Sequence, residues 1–202
     1  MKVFWLLVAI LSLAACAGPS TKPLAGPQSK WGICTDPVDL RFSQSRQKGW
    51  LLANVSYTDS KGALWLAPKG SVVDGASIPQ GFWSLIGGPW EGPYRFASVI
   101  HDVACVERQR PWEKTAEMFY EAMRCGGVGE LKAKTMYYAV YKFGPHWPTP
   151  GRFKLFGPTG PNIITMRPSI PTAQDVREIK DFVTKTNPTL EQIRADAEKS
   201  AR

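Results

Sequence analysis

Histidine and cysteine are scarce in this chain, with two and four residues respectively among 202. His101, His146 and the cysteines fall in no spacing that a zinc site uses, which excludes a zinc module as the organising feature. No apolar run is long enough to cross a bilayer, since the stretch from Val3 to Leu13 falls short of the roughly 20 residues a spanning helix needs. There is no internal repeat. Ser77 sits in no G-x-S-x-G elbow, so a serine nucleophile of that type has no support. Acidic residues are outnumbered 17 to 25 by basic ones, a net charge of +8. The basic residues are spread from Arg41 to Arg202 and form no cluster, so no nucleic-acid partner is expected. A cationic face toward anionic lipid or a cell-wall polymer is one reading of the charge, and a solvated basic surface is the other.

The N-terminal run has the layout of a secretory signal, with Lys2 ahead of the apolar segment. It ends in Leu13-Ala14-Ala15-Cys16, which resembles the lipobox of bacterial lipoproteins. That resemblance implies removal of residues 1–15 and lipidation of Cys16. Ala17, in place of aspartate, implies sorting to the outer membrane, facing the periplasm or the surface. Loss of Lys2 lowers the mature net charge from +8 to +7. Residues 16–30 are rich in proline, glycine and serine and read as a tether.

From Trp31 the pattern changes to short alternating runs. Val38 to Phe42, Trp50 to Tyr57 and Ala63 to Leu66 predict strands, separated by turn signals at Gln47-Lys48-Gly49 and Asp59 to Gly62. Phe82 to Gly87 has helix-like apolar content. Two helical segments follow between Pro93 and Arg124 and meet near Pro111. Phe96, Val99, Ile100 and Val103 recur at helical spacing in the first; Ala116, Phe119, Tyr120 and Met123 do so in the second. Leu131 to Phe143 predicts a third helix, and Gly144 to Pro161 an arm or loop. Thr172 to Lys185 predicts a last helix, and Thr189 to Arg202 a solvated, mobile tail. The expected fold is α+β, with a small antiparallel sheet packed on a helical hairpin and a third helix. Residues 31–170 would form the single domain, with the arm at its end, and residues 171–202 a C-terminal helix and tail.

Inside the first helix of the hairpin lies His101-Asp102, a base candidate beside a carboxylate, preceded by a glycine-rich polar loop. If the helices fold back near Arg110-Pro111, His101 lies level with about Tyr120. Glu117 is then roughly 4.5 Å off along the axis and Glu113 roughly 10 Å off. Glu117 is the better acid for orienting the imidazole, and Tyr120 is within reach of it. A structural polar cluster is the competing reading of the same residues.

Two resemblances sharpen this. VVDGASIPQGFWSLIGGP, then ASVIHD, TAEMFYEAMRCGGV and YYAVYKFG resemble domain-of-unknown-function family 1353, a group of bacterial and phage-associated proteins, over about residues 65–144. That family name carries no established activity. The His-Asp helix followed by an antiparallel helix with an acid is similar to the secreted phospholipase A2 superfamily. This likeness implies His101 as the base that activates water, Asp102 as a calcium ligand and Glu117 as the orienting acid. Asp74 and Gly75 would complete a calcium site, because calcium takes carboxylate and carbonyl oxygens. Departures are the glutamate in place of aspartate at Glu117 and Cys105 in place of tyrosine. The function expected is metal-assisted hydrolysis of an ester, with phospholipid as one substrate class. The alternative is a non-catalytic envelope or phage-related lipoprotein that binds a surface partner.

With Cys16 assigned to lipid, three cysteines remain, an odd number for an oxidising compartment. In a tight hairpin Cys105 and Cys125 are about nine residues apart along the axis, roughly 13 Å, beyond disulfide reach. Cys125 also points away from the face bearing Ala116 and Tyr120, and Cys34–Cys125 is the preferred bridge, with Cys105 buried and outside it.

Overall fold

The computed structural model describes residues 29–148 and 170–199, apart from residues 36, 46, 47, 76, 77 and 89. The expected signal, the Cys16 anchor, Ser77 and most of the Pro/Gly-rich arm lie outside the described residues.

The fold is α+β, but the single sheet expected is two. Ile33–Cys34 (β1), Val55–Thr58 (β4) and Leu64–Ala67 (β5) form one antiparallel sheet in the order β1-β4-β5. Leu40–Phe42 (β2), Gly49–Leu51 (β3) and Val72–Val73 (β6) form the other, in the order β2-β3-β6. The run from Trp50 to Tyr57 breaks between them. Leu52 to Asn54 are exposed, and the Asn54 carboxamide accepts the Lys69 N–H at 2.8 Å, which holds the break open. On β4 and β5 the side chains alternate as a half-buried sheet requires. Val55, Tyr57, Trp65 and Ala67 face inward. Asp59 closes the β4–β5 turn: its Oδ1 accepts the N–H of Lys61 and Ala63, and its Oδ2 accepts Trp65 Nε1.

A 3-10 turn, Gln80–Phe82, and the short helix Trp83–Ile86 (α1) lead into the hairpin. Its helices are Arg95–Glu107 (α2) and Trp112–Cys125 (α3). Arg108 ends α2 in the left-handed conformation at φ 53°, and Pro111 directs the chain into α3. The apolar faces meet as their periodicity requires, burying Phe96, Ile100, Phe119 and Met123 in one core. The sheets pack on α2, α2 on α3, and α3 on Glu130–Phe143 (α4). A disulfide joins Cys34 of β1 to Cys125 at the end of α3, with Cα atoms 6.3 Å apart. Cys105 is half-buried rather than buried.

Helices Ala173–Thr186 (α5) and Leu190–Lys199 (α6) cover α4. The helix α6 replaces the solvated tail expected from composition. Thr189 and Gln192 cap it reciprocally, with Gln192 Oε1 accepting the Thr189 N–H and Thr189 Oγ accepting the Gln192 N–H. Ile193 and Ala197 are buried, and Tyr138 and Tyr141 of α4 donate to Asp196 at 2.5 Å and Glu198 at 2.9 Å. Ile193 and Ala197, with Leu190 packed beside the core and two hydroxyl–carboxylate bonds, dock a helix that is otherwise mostly polar. No described helix is long and apolar enough to cross a membrane.

Candidate functional site

His101 and Asp102 are adjacent on α2 and therefore point about 100° apart. Asp102 turns toward the loop after β6. Its Oδ2 accepts the backbone N–H of Asp74 at 3.2 Å and of Gly75 at 2.9 Å. A carboxylate that takes two successive amides fixes the path of that loop, and Gly75 allows the approach with its φ of +84°. Asp74 itself is exposed.

The calcium site expected from Asp102, Asp74 and Gly75 would have to share the Asp102 carboxylate with this loop. An oxygen of Asp102 is engaged by N–H donors, and Gly75 presents its N–H to that oxygen. Among the described residues no group of three or more His, Cys, Asp or Glu side chains is placed to hold an ion.

His101 turns into the core and is only 2% exposed. Its ring lies against Phe119, with centroids 4.8 Å apart and planes tilted by 42°. The Cys105 sulfur, one helical turn on, is 3.7 Å from Nδ1 and 3.6 Å from Nε2. An atom equidistant from both nitrogens lies along neither in-plane lone pair, so this is not the geometry of a thiolate–imidazolium dyad. Burial pushes the imidazole pKa down from 6.5 to about 4, leaving it neutral at physiological pH.

Neither proposed partner meets it. The hairpin register is one residue from the expected one: Phe119, not Tyr120, lies opposite His101. From Phe119, Glu117 is about 200° around the helix, so its carboxylate emerges on the other side. There Lys114 approaches it at 2.7 Å and Lys61 at 3.5 Å. Burial works to raise the Glu117 pKa, but the two ammonium groups hold it below the usual value. Tyr120 packs edge-on against Trp31 and Tyr137.

Glu117 instead lines a hollow of about 120 Å³ with Asp59, Lys61, Trp65, Lys114 and Glu121. Burial pushes the Glu121 pKa up, and Ser60 donates to both its oxygens at 3.3 and 3.2 Å. Asp59 is held low by hydrogen bonds from Trp65, Ala63 and Lys61, against the opposing effect of burial. These groups pin the β4–β5 turn to α3. The turn signal of Asp59 to Gly62 was legible in the sequence; which helix it meets was not. His146 packs flat on Trp112 at 3.7 Å and donates from Nε2 to the Tyr141 carbonyl at 2.8 Å.

A larger cavity, about 220 Å³, opens beside β5 and was not anticipated. Leu64, Leu66 and Pro68 form one wall, Ile100, Ala104 and Glu107 of α2 the other, and Arg110 closes one end. The α2 residues at positions 100, 104 and 107 share a helical face, which is the signal that would have found it.

Two curated proteins of Sinorhizobium fredii are similar to this chain. Uncharacterized protein y4jT is 52% identical over 97 residues, covering 48% of this chain and 29% of that protein. Uncharacterized protein y4iH is 43% identical over 97 residues, covering 48% of this chain and 41% of that protein. The chain therefore spans well under half of each relative's length. No solved structure matches it. The model of the family described as Protein of unknown function (DUF1353) matches residues 50–140, a span that starts in β3 and takes in most of α4.

Proposed function

We propose that the domain is a non-catalytic binding module of an envelope lipoprotein, in which His101 and Asp102 hold the fold. The observation that carries this reading is the setting of His101: a neutral imidazole packed between Phe119 and Cys105 and remote from Glu117. A general base must reach the proton it removes, and this one is sealed from water. Asp102 contributes as the anchor of the Asp74-Gly75 loop. Calcium-assisted ester hydrolysis, expected from the sequence, is the competing proposal.

Melting of wild type and Asp102→Asn across a calcium titration separates the two. The binding module shows no calcium-dependent rise in Tm. Asp102→Asn lowers stability by roughly 1–3 kcal/mol at every calcium level, because two backbone amides, that of Gly75 buried, lose a charged acceptor. A calcium-dependent rise that Asp102→Asn abolishes, together with ester or phospholipid hydrolysis lost in His101→Gln, would overturn the reading, since a ligand of the folded state must raise Tm.

The envelope part of the proposal rests on Leu13-Ala14-Ala15-Cys16 and on the cell-surface partners that a lipid anchor would bring within reach, anionic lipid or wall polymer among them. Cys16→Ser is expected to yield soluble protein or an unprocessed precursor on cell fractionation. Normal processing with unchanged membrane partitioning would remove the anchor from the proposal.

A further inference from the structure

The cavity beside β5 has a free strand edge as its margin. Among the described residues β5 pairs with β4 alone. The direction of its backbone groups follows from two hydrogen bonds. Ala63 accepts the Asp59 N–H on the β4 side, whereas the Leu64 carbonyl accepts Arg110 Nη2 at 2.8 Å from outside. Because an antiparallel strand alternates, Trp65 and Ala67 turn their N–H and C=O toward β4, and Leu66 turns both outward. Arg110 thus covers the start of the edge and, among the described residues, leaves Leu66 open. Leu64 and Leu66 are 56% and 44% exposed on the outer face of the sheet.

We infer that the β5 edge and the adjoining cavity take an extended peptide segment of a partner protein, added as a fourth strand, with one large apolar side chain seated between β5 and α2. This rests on the binding-module reading and names the kind of partner. An extended backbone matches the outward N–H and C=O of Leu66 as a pair, in the spacing of an antiparallel ladder. A strand laid there points every second side chain into the cavity, whose 220 Å³ and lining of Trp65, Ile100 and Ala104 suit a leucine or phenylalanine. Its other side chains lie beside Leu64 and Leu66, completing cross-strand apolar pairs.

A second copy of this chain fits less well. Its own inward β5 residues, Trp65 and Ala67, are committed to its core and deliver nothing into the cavity. Charge at the mouth narrows the partner further. The Arg110 guanidinium lies 3.9 Å from the centre of the Trp65 ring and is held by Leu64. Glu107 is exposed, and among the described residues the Gln109 carboxamide donates to it at 3.1 Å. A basic residue flanking the apolar one meets that carboxylate.

The test is selection from a random decapeptide library displayed on phage, panned on the whole protein, with binding of the synthetic selected peptides measured by fluorescence anisotropy. Enrichment of alternating apolar and polar sequences with a central leucine or phenylalanine is expected. Replacing that residue with alanine weakens binding about tenfold or more. N-methylation of the peptide amide that faces β5 does the same. Ala104→Trp fills the cavity while leaving the β5 backbone groups in place and also weakens binding; Leu66→Pro removes the edge donor, with circular dichroism checking its fold. No enrichment over Ala104→Trp, or binding indifferent to N-methylation, overturns the inference. So does a protein dimer that Leu66→Pro dissociates, which assigns the edge to a second copy. Slow exchange of the Leu66 amide in the free monomer overturns it too, by showing the edge covered by the chain's own residues outside those described. Each of these leaves the reading of His101 and Asp102 standing, because calcium and ester hydrolysis test that separately.

Discussion

On one side of α3 Phe119 closes an apolar chamber over His101; on the other, Glu117 and Glu121 face a hollow shared with Lys61 and Lys114. The two settings are a few residues apart in sequence and treat ionisable groups in opposite ways. In the chamber burial acts almost alone, and the imidazole stays neutral. In the hollow burial is offset by neighbours: two ammonium groups keep Glu117 ionised, while Glu121, with Ser60 donating to it, still has its pKa raised by burial. Helix position decides this more than residue type does. Moving two places along α3 carries a side chain from the core to the opposite face, and a motif read without its register assigns both sides to one site.

The largest effect expected from this contrast is on stability in acid. His101 titrates near 4 in the folded protein and at 6.5 when unconstrained. Between those values the unfolded chain binds a proton that the folded chain does not. The His101 contribution is therefore complete above pH 6.5 and is lost as pH falls toward 4. The gap corresponds to about 3 kcal/mol. His101→Phe removes this dependence and keeps an aromatic ring against Phe119. In urea melts, wild type is expected to lose about 2–3 kcal/mol more than His101→Phe between pH 7.5 and pH 4.5. His146 is also pushed down by burial, but it is present in both proteins and cancels. Equal acid losses would show that the chamber is open to water. A carboxylate oriented on His101 would raise its pKa and reverse the sign, with stability lost as pH rises.

The helices were legible because their apolar residues repeat at the helical period over three or four turns, as Phe96 to Val103 and Ala116 to Met123 do. Helix rise excluded a Cys105–Cys125 bridge from the sequence, because it separates the two by more than a disulfide spans; that Cys34 meets Cys125 and not Cys105 depends on where β1 packs on α3. The division into two sheets was not legible. Leu52 to Asn54 continue the strand pattern in sequence, and the bond from Lys69 to Asn54 that breaks it comes from fifteen residues further on. Asp102 illustrates the same limit within the site. A carboxylate beside a histidine reads as a ligand or a partner until the Asp74-Gly75 amides are seen on it, and they come from 28 and 27 residues earlier. The tail was misread because composition understates a helix that docks through a few apolar residues, Leu190, Ile193 and Ala197.

The smallest effect expected is the most direct test of the register. Glu117 forms ion pairs with Lys114 and Lys61, whose side chains are more than half exposed, and such pairs contribute little. Glu117→Gln keeps the side-chain shape and removes the charge, so its cost is expected within about 0.5 kcal/mol. The telling measurement is the His101 imidazole pKa, followed by NMR in wild type and in Glu117→Gln. With Phe119 between them and the carboxylate turned about 200° away, the titration of His101 is expected to stay near 4 in both proteins. Had Glu117 oriented the imidazole, removing its charge would lower the His101 pKa, because the neighbouring carboxylate would have been stabilising the protonated ring. A downward shift on Glu117→Gln would therefore put the two groups in one site, restore the expected register and bring catalysis by His101 back into consideration. An unchanged titration, with the small change in stability, keeps the chamber and the hollow as separate regions joined only by the helix that divides them.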